Sequence, residues 1–413
     1  ICPLIVERGG TVEERAAQNE RFFREHILDE NCNVQFGEGG AGTFSDGKLN
    51  TQTRDARNRE VLETFVEFGA PPEVAYLNKP HVGSDRLREV VRNMRRFILE
   101  RGGEIRFHCR LEDVLLRGGA LQGVLLRDVR TGREERVDAC ELVLAVGHSA
   151  RDTFRMLHGR GFAMQAREFA VGVRIEHLQE KIDIAQYGRK RGALPVADYK
   201  LVSHAGERTA FTFCMCPGGY VMPAASEAGG VVTNGMSDYA RDAVNANSAL
   251  LAQVRLSDFD RGGVLDGVEF QRALERAAFR AGGGGYAAPV QRAEDFLLGR
   301  RTSAFGEVLP SYAAGTAMGE LNEILPPPIA SSLKAALADM DRRLHGFAHP
   351  DALLTGVETR FSSPGRILRG QTLESVSAAG VYPCGEGCGY SGGITSSAAD
   401  GIRVAEAICA KYS

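Results

Sequence analysis

The run from Gly385 to Ile394, Gly-Glu-Gly-Cys-Gly-Tyr-Ser-Gly-Gly-Ile, is the strongest local indication of chemistry in this sequence. It places a carboxylate, Glu386, in a glycine loop and two glycines, Gly392 and Gly393, at the predicted start of a helix. Free backbone N–H groups and the positive end of the helix dipole at such a position stabilise an anion. We therefore expect this loop to face a group that develops negative charge; a plain turn leading into the helix is the alternative.

A second glycine-rich segment, from Gly37 to Gly42, matches G-x-G-x-x-G letter for letter. This pattern binds a dinucleotide only where a strand precedes it and a helix opens within it. The residues that follow, Thr-Phe-Ser-Asp-Gly, break any helix. We expect a loop that touches a cofactor but is not the first phosphate-binding turn, through the residues Gly39, Gly40, Ala41 and Gly42.

The opening segment Val6-Glu7-Arg8 reads as the end of a short strand. An acidic residue that ends the second strand of a dinucleotide-binding sheet holds ribose hydroxyls, which makes Glu7 a candidate; an exposed strand end is the alternative. The first strand and its glycine turn would lie upstream of Ile1. We therefore expect this chain to lack that unit.

Two polar residues are candidates for catalysis from their places in the chain. His148 follows a predicted strand end at Gly147, where ligands of parallel sheets usually bind, but no carboxylate partner is visible in the sequence. A helix-capping or surface histidine is the alternative.

Arg360 is close to the segment that returns to the first domain, and we expect it to steer an anionic substrate or the cofactor. Arg174 and Glu176 share a strand face and are expected to form an ion pair.

The motif Cys214-Met215-Cys216 raises the question of a redox disulfide. In an extended strand, residues two apart share a face at about 6.6–6.8 Å, at or beyond the usual Cα limit for a bridge. We expect the two thiols to line a pocket without forming a redox pair. Cys384 and Cys388 have no partners at zinc spacing, so no metal site is predicted.

Composition excludes several classes of protein. The chain has 413 residues, a hydrophobic fraction of 43%, a charged fraction of 25% and a net charge of −3, which is typical of a globular protein with no basic footprint for nucleic acid. The longest apolar runs are about five residues, whereas a membrane-spanning helix needs about 20. Nine cysteines with no secretory leader favour reduced thiols in the cytoplasm.

Hydrophobic periodicity predicts the elements that must position these residues. Helices are predicted from Thr11 to about Asp29, after Ser84, after Pro326 and from Ile394 to Lys411, and a small antiparallel meander between Leu111 and Val137. The middle of the chain reads as alternating strands joined by loops rich in Pro and Gly, unlike both ends. We predict a first domain from residues 1–160 and 355–413, with a mixed α+β substrate domain inserted at 161–354.

Several motifs together resemble one protein family. The segments that carry the resemblance are Glu7 to Gly9, Phe36 to Leu49, Val146 to Asp152, Phe213 to Gly219 and Gly385 to Ile394. They are similar to the bacterial FAD-dependent dehydrogenases, a family of uncharacterised NAD(FAD)-utilising enzymes related to the glutathione-reductase-like flavoproteins. The resemblance covers essentially the whole chain. It implies a Rossmann-like α/β FAD-binding domain and an oxidoreductase.

The resemblance also assigns cofactor contacts residue by residue. It implies that Glu7 binds the adenosine ribose with Arg8 beside it, that the Gly39 to Gly42 loop lies near the pyrophosphate and ribityl chain, and that the Val114 backbone lies near adenine. It places Ala145 and Gly147 beside the dinucleotide. The loop from Gly385 then supplies Glu386 to the ribityl or pyrophosphate region, and Gly392, Gly393 and Ile394 to the flavin ring.

The sequence thus predicts an FAD-dependent oxidoreductase that transfers hydride between a small organic substrate and flavin N5. NAD(P)H, a quinone, an electron-transfer protein or oxygen would reset the flavin. A non-catalytic flavin-binding protein and an NAD-dependent dehydrogenase using the Gly37–Gly42 loop are the alternatives. The catalytic candidates are His148, Cys214, Cys216 and Arg360.

Overall fold

The structure is a computed structural model that describes residues 2–413, a mixed α/β chain. Its helices are α1 (Val12–Glu25), α2 (Arg57–Glu67), α3 (Ser84–Glu100), α4 (Arg151–Gly159), α5 (Gln179–Tyr187), α6 (Asp266–Ala281), α7 (Ala293–Leu298), α8 (Pro327–Asp341) and α9 (Ile394–Lys411). Its strands are β1 (Leu4–Val6), β2 (Glu104–Arg106), β3 (Cys109–Arg117), β4 (Ala120–Asp128), β5 (Glu134–Asp138), β6 (Leu142–Leu144), β7 (Met164–Ala166), β8 (Phe169–Leu178), β9 (Val202–Ser203), β10 (Ala210–Cys216), β11 (Tyr220–Pro223), β12 (Thr233–Met236), β13 (Asn245–Val254), β14 (Ala288–Arg292), β15 (Thr316–Met318), β16 (Leu353–Glu358), β17 (Gly365–Ile367) and β18 (Val381–Pro383).

A seven-stranded sheet dominates the middle of the chain, in the order β15-β14-β16-β8-β13-β10-β9. Only β14 and β15 are parallel; the other neighbours are antiparallel. Helix α8 packs against β8, β10 and β13 through its buried apolar side chains Ile329, Leu333, Leu337 and Met340, and Leu344, which follows the helix, is also buried. Strand β16 continues to Glu358 and so crosses the predicted domain boundary at residue 354.

The two ends of the chain form a separate set of small sheets. The predicted meander is present as β3-β4-β5, and two parallel pairs are formed by β1 with β2 and by β6 with β18. The expected Rossmann-like sheet is not continuous within residues 2–413, because no strand there hydrogen-bonds one parallel pair to the other. Ile5 and Val143 on these strands are 38% and 43% exposed.

Local signals set several helix ends. A capping box starts α1, since the Thr11 side chain accepts from the Glu14 N–H and the Glu14 side chain accepts from the Thr11 N–H. The predicted end at Asp29 is wrong, because His26 turns into the left-handed conformation and closes the helix at Glu25. Ile27, which follows this turn, is consequently exposed.

Helices α3 and α9 also differ in detail from what local sequence patterns indicate. Ser84 does not cap α3: it is the first helical residue, and its hydroxyl donates to Asp238. In α9, Val404 is buried, whereas the neighbouring Ala405 is exposed. No helix within residues 2–413 combines the length and the apolar character needed to cross a membrane.

Candidate functional site

Two neighbouring strand ends create one edge of the candidate site. Because β6 and β18 pair in parallel, their carboxyl ends emerge side by side and continue into Ala145–Gly147 and the loop from Gly385. The two backbones touch: a Cβ added at Gly387 would lie 2.3 Å from the Gly147 carbonyl carbon. The topology therefore brings together two segments that the sequence analysis assigned to the cofactor.

An acid and a base meet at this edge. His148 Nδ1 lies 3.2 Å from Glu386 Oε1, so the structure supplies the carboxylate partner that the sequence did not reveal. The other ring nitrogen, Nε2, is buried and has no hydrogen-bond partner among the described residues. A ring nitrogen in that state can give a proton to, or accept one from, a bound group.

The start of α9 forms the second edge. Gly393 precedes the helix at φ +146°, a conformation that favours glycine, and no side chain caps the first N–H groups. Gly392 and Gly393 are exposed, and a Cβ at either would meet no atom within 4 Å. Gly42 packs here, since a Cβ on it would lie 3.0 Å from the Ile394 side chain. The two predicted glycine loops therefore converge on an uncapped helix N-terminus.

Arg15 holds the Gly37–Gly42 loop in place. Its buried guanidinium donates to the carbonyl oxygens of Asn33, Val34 and Glu38 at 2.7–2.8 Å. A Cβ at Gly37 would lie 2.4 Å from the Arg15 side chain. Arg15 was not among the predicted site residues, although it lies three residues after Val12 in α1, a spacing that places both on the buried side of the helix.

The structure also shows why the G-x-G-x-x-G match is misleading. No strand precedes Gly37, and a 3-10 helix of four residues, Ala41–Phe44, follows instead of an α-helix. Gly39 and Gly40 take left-handed φ values of +81° and +63°. This geometry lacks the helix N-terminus that binds pyrophosphate in the dinucleotide fingerprint.

The predicted ribose-binding segment joins β1 to the same loop. Glu7 Oε1 accepts from the N–H groups of Gly9 and Gly37 at 2.8 and 3.0 Å. Arg8 donates to both carboxylate oxygens of Asp152 and lies 4.3 Å above the Phe36 ring. Val114 lies on β3, where its N–H donates to Asp113 Oδ1 and its side chain is buried. The adenosine contacts implied for these residues stay predictions.

Arg360 is bound within the protein. Its guanidinium donates to both Glu275 oxygens at 2.7 and 3.0 Å and to Ser149 at 2.8 Å. Ser149 in turn donates to Gln35 next to the glycine loop. This pairing favours a role in joining the glycine-loop region to α6, rather than the predicted contact with a substrate anion.

The predicted pair of Arg174 with Glu176 is wrong. Arg174 is fully buried and pairs across the sheet with Glu358, with Nε 2.6 Å from Oε2, and Glu176 bonds Ser311 instead. Cross-strand neighbours approach more closely than residues two apart on one strand. Burial raises the pKa of Glu358 to about 7 against the opposing charge of Arg174.

Strand β10 is irregular at its two cysteines. A bulge interrupts the register between Phe213 and Cys216, and Cys214 takes a left-handed φ of +44°. The premise of a regular extended strand is therefore wrong at Cys214. The Cys214 carbonyl accepts from Arg174 at 2.9 Å and from the Cys216 thiol at 3.2 Å. All nine cysteines are free thiols, and Cys214 is partly exposed.

A charged group that the sequence analysis did not assign lies beside Cys214. Asp46 is completely buried and binds Arg241 and Ser237, and Lys48 Nζ lies 3.7 Å from its Oδ2. These residues follow the Gly37–Gly42 loop directly. The polar run Ser-Asp-Gly-Lys after a glycine loop was the available signal.

A possible metal-ligand group lies elsewhere and is already neutralised. Within residues 2–413, the only three residues able to offer ligand atoms within 4.8 Å of one another are Glu307, His349 and Asp351. Lys181 pairs with Glu307, and Arg292 pairs with Asp351 at 2.6 Å. We assign it no metal.

Comparison with known proteins identifies a family match and a close relative in sequence. Residues 168–361 match the family described as "FAD-dependent protein, C-terminal domain-like". An uncharacterized protein of Clostridium beijerinckii is 47% identical over 414 residues, which is 99% of this chain and 76% of the relative. The chain belongs to this family of FAD-dependent proteins. The seven-stranded sheet is the part of the chain that carries the family match.

Solved structures resemble the chain only distantly. Quinol-fumarate reductase is 11% identical with a TM-score of 0.38, over 98% of this chain and 69% of the other. A flavocytochrome c3 fumarate reductase is 10% identical with a TM-score of 0.37, over 98% and 77%. The flavin-dependent brominase Bmp2 is 15% identical with a TM-score of 0.29, over 62% and 56%. These scores are too low to bear on function.

The residues present fit the cofactor that the family implies. A Cβ added at Gly40, Gly147, Gly392 or Gly393 would meet no atom within 4 Å, so each of these backbone positions is open to a bound group. The Nε2 of His148, which has no hydrogen-bond partner in the part of the chain that the structure describes, and the uncapped N–H groups of α9 offer polar contacts. Such a cradle suits a flat, partly anionic ring with a polar chain attached.

Proposed function

We propose that this protein is an FAD-dependent oxidoreductase that transfers hydride between a small organic substrate and N5 of the flavin. The observation that carries the proposal is the packing of Gly42 against Ile394 at the uncapped N-terminus of α9. In a family of FAD-dependent proteins, this is the place where backbone N–H groups can meet a ring that becomes negatively charged.

Distinct parts of the site would bind distinct parts of the cofactor. Gly392, Gly393 and Ile394 would face the ring, and the loop from Gly39 to Gly42 would contact the ribityl chain. Glu386, whose Oε1 lies 3.2 Å from His148 Nδ1, would hold the ribityl or pyrophosphate region, and Ala145 and Gly147 would contact the dinucleotide backbone. Glu7 and Val114 would serve the adenosine end.

The protein's own groups have defined tasks in this proposal. FAD, when bound, supplies two-electron chemistry at N5. The α9 N–H groups stabilise negative charge, and His148 Nε2 exchanges a proton with the group in contact with it. Lys48, whose Nζ lies 3.7 Å from Asp46 Oδ2 and whose charge acts on Cys214, would favour an anionic or electron-rich substrate. NAD(P)H is one candidate for the reductant that resets the flavin.

Two other functions are weighed against this one. A dehydrogenase using the Gly37–Gly42 loop for NAD is disfavoured, because that loop opens into a 3-10 helix. A non-catalytic flavin carrier would need no acid–base pair or buried charges at the pocket, and both are present at His148 and Asp46.

The test is to add FAD, measure bound flavin from its absorbance, reduce it with light under anaerobic conditions, and mix it with candidate acceptors. We expect the protein to bind FAD, and the reduced flavin to be reoxidised by at least one organic acceptor. Bound flavin that exchanges electrons with none of the acceptors would favour the passive carrier. Protein that binds no FAD at all would contradict the proposal.

A further inference from the structure

We propose that Cys214 and Cys216 form a thiol–disulfide couple that reduces a disulfide substrate at the edge of the flavin site. The proposal rests on the proposed function for the electrons that restore the couple. Three observations support its chemistry: the bulge that interrupts the regular strand at these two residues, the partial exposure of Cys214, and the cations that act on it.

The backbone geometry removes the obstacle to a bridge. In a regular strand the two Cα atoms would be about 6.6–6.8 Å apart with parallel side chains, which resists a disulfide. The left-handed turn at Cys214 breaks that spacing, and the Cys216 thiol already reaches the Cys214 carbonyl at 3.2 Å. A non-glycine residue in this conformation carries backbone strain, and such strain clusters at functional sites.

The two thiols differ in the way that a reactive couple requires. Cys214 is partly exposed, whereas Cys216 is buried. The neighbouring Cys216 thiol lowers the pKa of Cys214 to about 6 against the effect of burial, with Lys48 and Arg174 adding to the lowering. The pKa of Cys216 is correspondingly raised. The partly exposed Cys214 is therefore the attacking thiolate, and the buried Cys216 remains a thiol until the second step.

The couple lies next to the proposed flavin site. Lys48, whose charge acts on Cys214, precedes Leu49 in the chain. The Leu49 carbonyl accepts from the Thr395 hydroxyl at 2.5 Å in the first turn of α9. Lys48, which acts on the Cys214 thiolate, therefore precedes the residue that is hydrogen-bonded to the first turn of α9, the helix start that would face the ring.

The reaction balances with the groups named. The Cys214 thiolate attacks one sulfur of the substrate disulfide, which forms a mixed disulfide and releases the first substrate thiolate. Cys216 then loses its proton to water and attacks Cys214 Sγ, which forms the Cys214–Cys216 disulfide and releases the second substrate thiolate. Two electrons pass from the couple to the substrate. FAD, when bound and reduced, would supply two electrons and one proton, and water a second proton, to return the Cys214–Cys216 disulfide to two thiols.

The test uses glutathione disulfide as the probe. Reduced protein is incubated with it at neutral pH, quenched with N-ethylmaleimide and digested with trypsin. Both cysteines, and no others, lie on the tryptic peptide Thr209–Arg241. We expect this peptide from the wild type to lose two hydrogens and to carry no glutathione. In Cys216→Ser the peptide should carry one glutathione on Cys214, with at least about tenfold less adduct in the wild type, because the second thiol acts at high effective concentration.

The controls separate this reaction from general cysteine exposure. Cys409, exposed on α9, is the matched control, and Cys409→Ser should behave as the wild type does on the Thr209–Arg241 peptide. Cys214→Ser should form neither the bridge nor an adduct at Cys216. A wild-type peptide that keeps two free thiols while Cys409 reacts would overturn the proposal. So would an adduct at Cys216 in Cys214→Ser as large as that at Cys214 in Cys216→Ser.

Flavin absorbance measured on the same samples separates this proposal from the previous one. Normal FAD binding without a Cys214–Cys216 bridge overturns the couple and leaves the oxidoreductase assignment intact. A bridge that forms in protein unable to bind FAD supports the couple and contradicts the assignment.

Discussion

At the scale of single residues, the site is defined by groups whose partners come from distant parts of the chain. Cys214 is the clearest case, because its reactivity depends on one neighbour two residues away and on two cations from other segments, Lys48 and Arg174. Asp46 lies beside Lys48 and opposes their effect. The balance of these charges decides whether the thiol is a thiolate at neutral pH.

We expect the rate of alkylation of Cys214 by iodoacetamide to rise with a midpoint near pH 6, because the thiolate forms above its lowered pKa. Replacing Cys216 with Ala should move the midpoint upward, since the largest cause of the lowering is lost. Fragment masses of the Thr209–Arg241 peptide report the modification. Cys384 and Cys388, whose pKa burial raises to about 12, should stay unmodified. An alkylation rate of the wild type whose pH midpoint is about 8.5, the ordinary cysteine pKa, would contradict this account.

At the scale of elements, the N-terminus of α9 and the loop from Gly39 to Gly42 act as one unit. The loop is held from behind by Arg15 on α1, and the helix start is held by the bond from Thr395 to the Leu49 carbonyl. Glycine is needed where the two meet, because a Cβ on Gly42 would press against Ile394.

We expect Gly393→Val to weaken FAD binding by at least about tenfold, because a branched side chain at the helix start fills the space proposed for the ring edge, at a cost of about 1–3 kcal/mol. Gly284→Val is the matched control. Both glycines have positive φ, +146° and +81°, so both variants carry backbone strain, but Gly284 lies in an exposed loop after α6. FAD titration followed by flavin fluorescence gives the affinities. Equal losses in the two variants would mean that the ring lies elsewhere.

At the scale of the whole molecule, one buried charge network connects the glycine-loop region to the domain with the large sheet. Glu275 on α6 accepts from Arg151 and Arg360, four hydrogen bonds of 2.7–3.0 Å. Arg360 continues through Ser149 to Gln35 beside the glycine loop. The network couples the stability of the sheet to the position of the cofactor loop.

We expect Glu275→Gln to lower the free energy of unfolding at pH 7 by about 3–5 kcal/mol, because it leaves buried arginine charges without a partner. Burial opposes ionisation of Glu275, but Arg360 and Arg151 outweigh it and hold its pKa far below the usual range. A carboxylate with a lowered folded-state pKa stabilises the fold above about pH 4.3, its unfolded value, and this stability is lost as the pH falls further.

Urea unfolding at pH 7 and at about pH 3 measures both effects, since the variant should lack the part of the acid destabilisation that Glu275 causes. Glu25→Gln is the control. Its partner Arg21 is on the same helix at the surface, so the free energy of unfolding should change by less than the error of the measurement. A Glu275→Gln variant as stable as the control would show that the network contributes nothing.

Local patterns determined much of this protein. The capping box of Thr11 and Glu14, the apolar face of α8, the meander and the start of α9 at Ile394 could all be read from the sequence, because each depends on residues a few positions apart. Composition and family resemblance also predict that the glycine loops bind the cofactor, which stays a prediction.

The tertiary structure alone decided which side chains meet. Strand order and register bring Glu386 to His148, pair Arg174 with Glu358 and commit Arg360 to Glu275. The bulge at Cys214 depends on how β10 is hydrogen-bonded to β13. Spacing along the chain contains no information about such contacts, because they are fixed by the packing of whole strands whose register is set elsewhere.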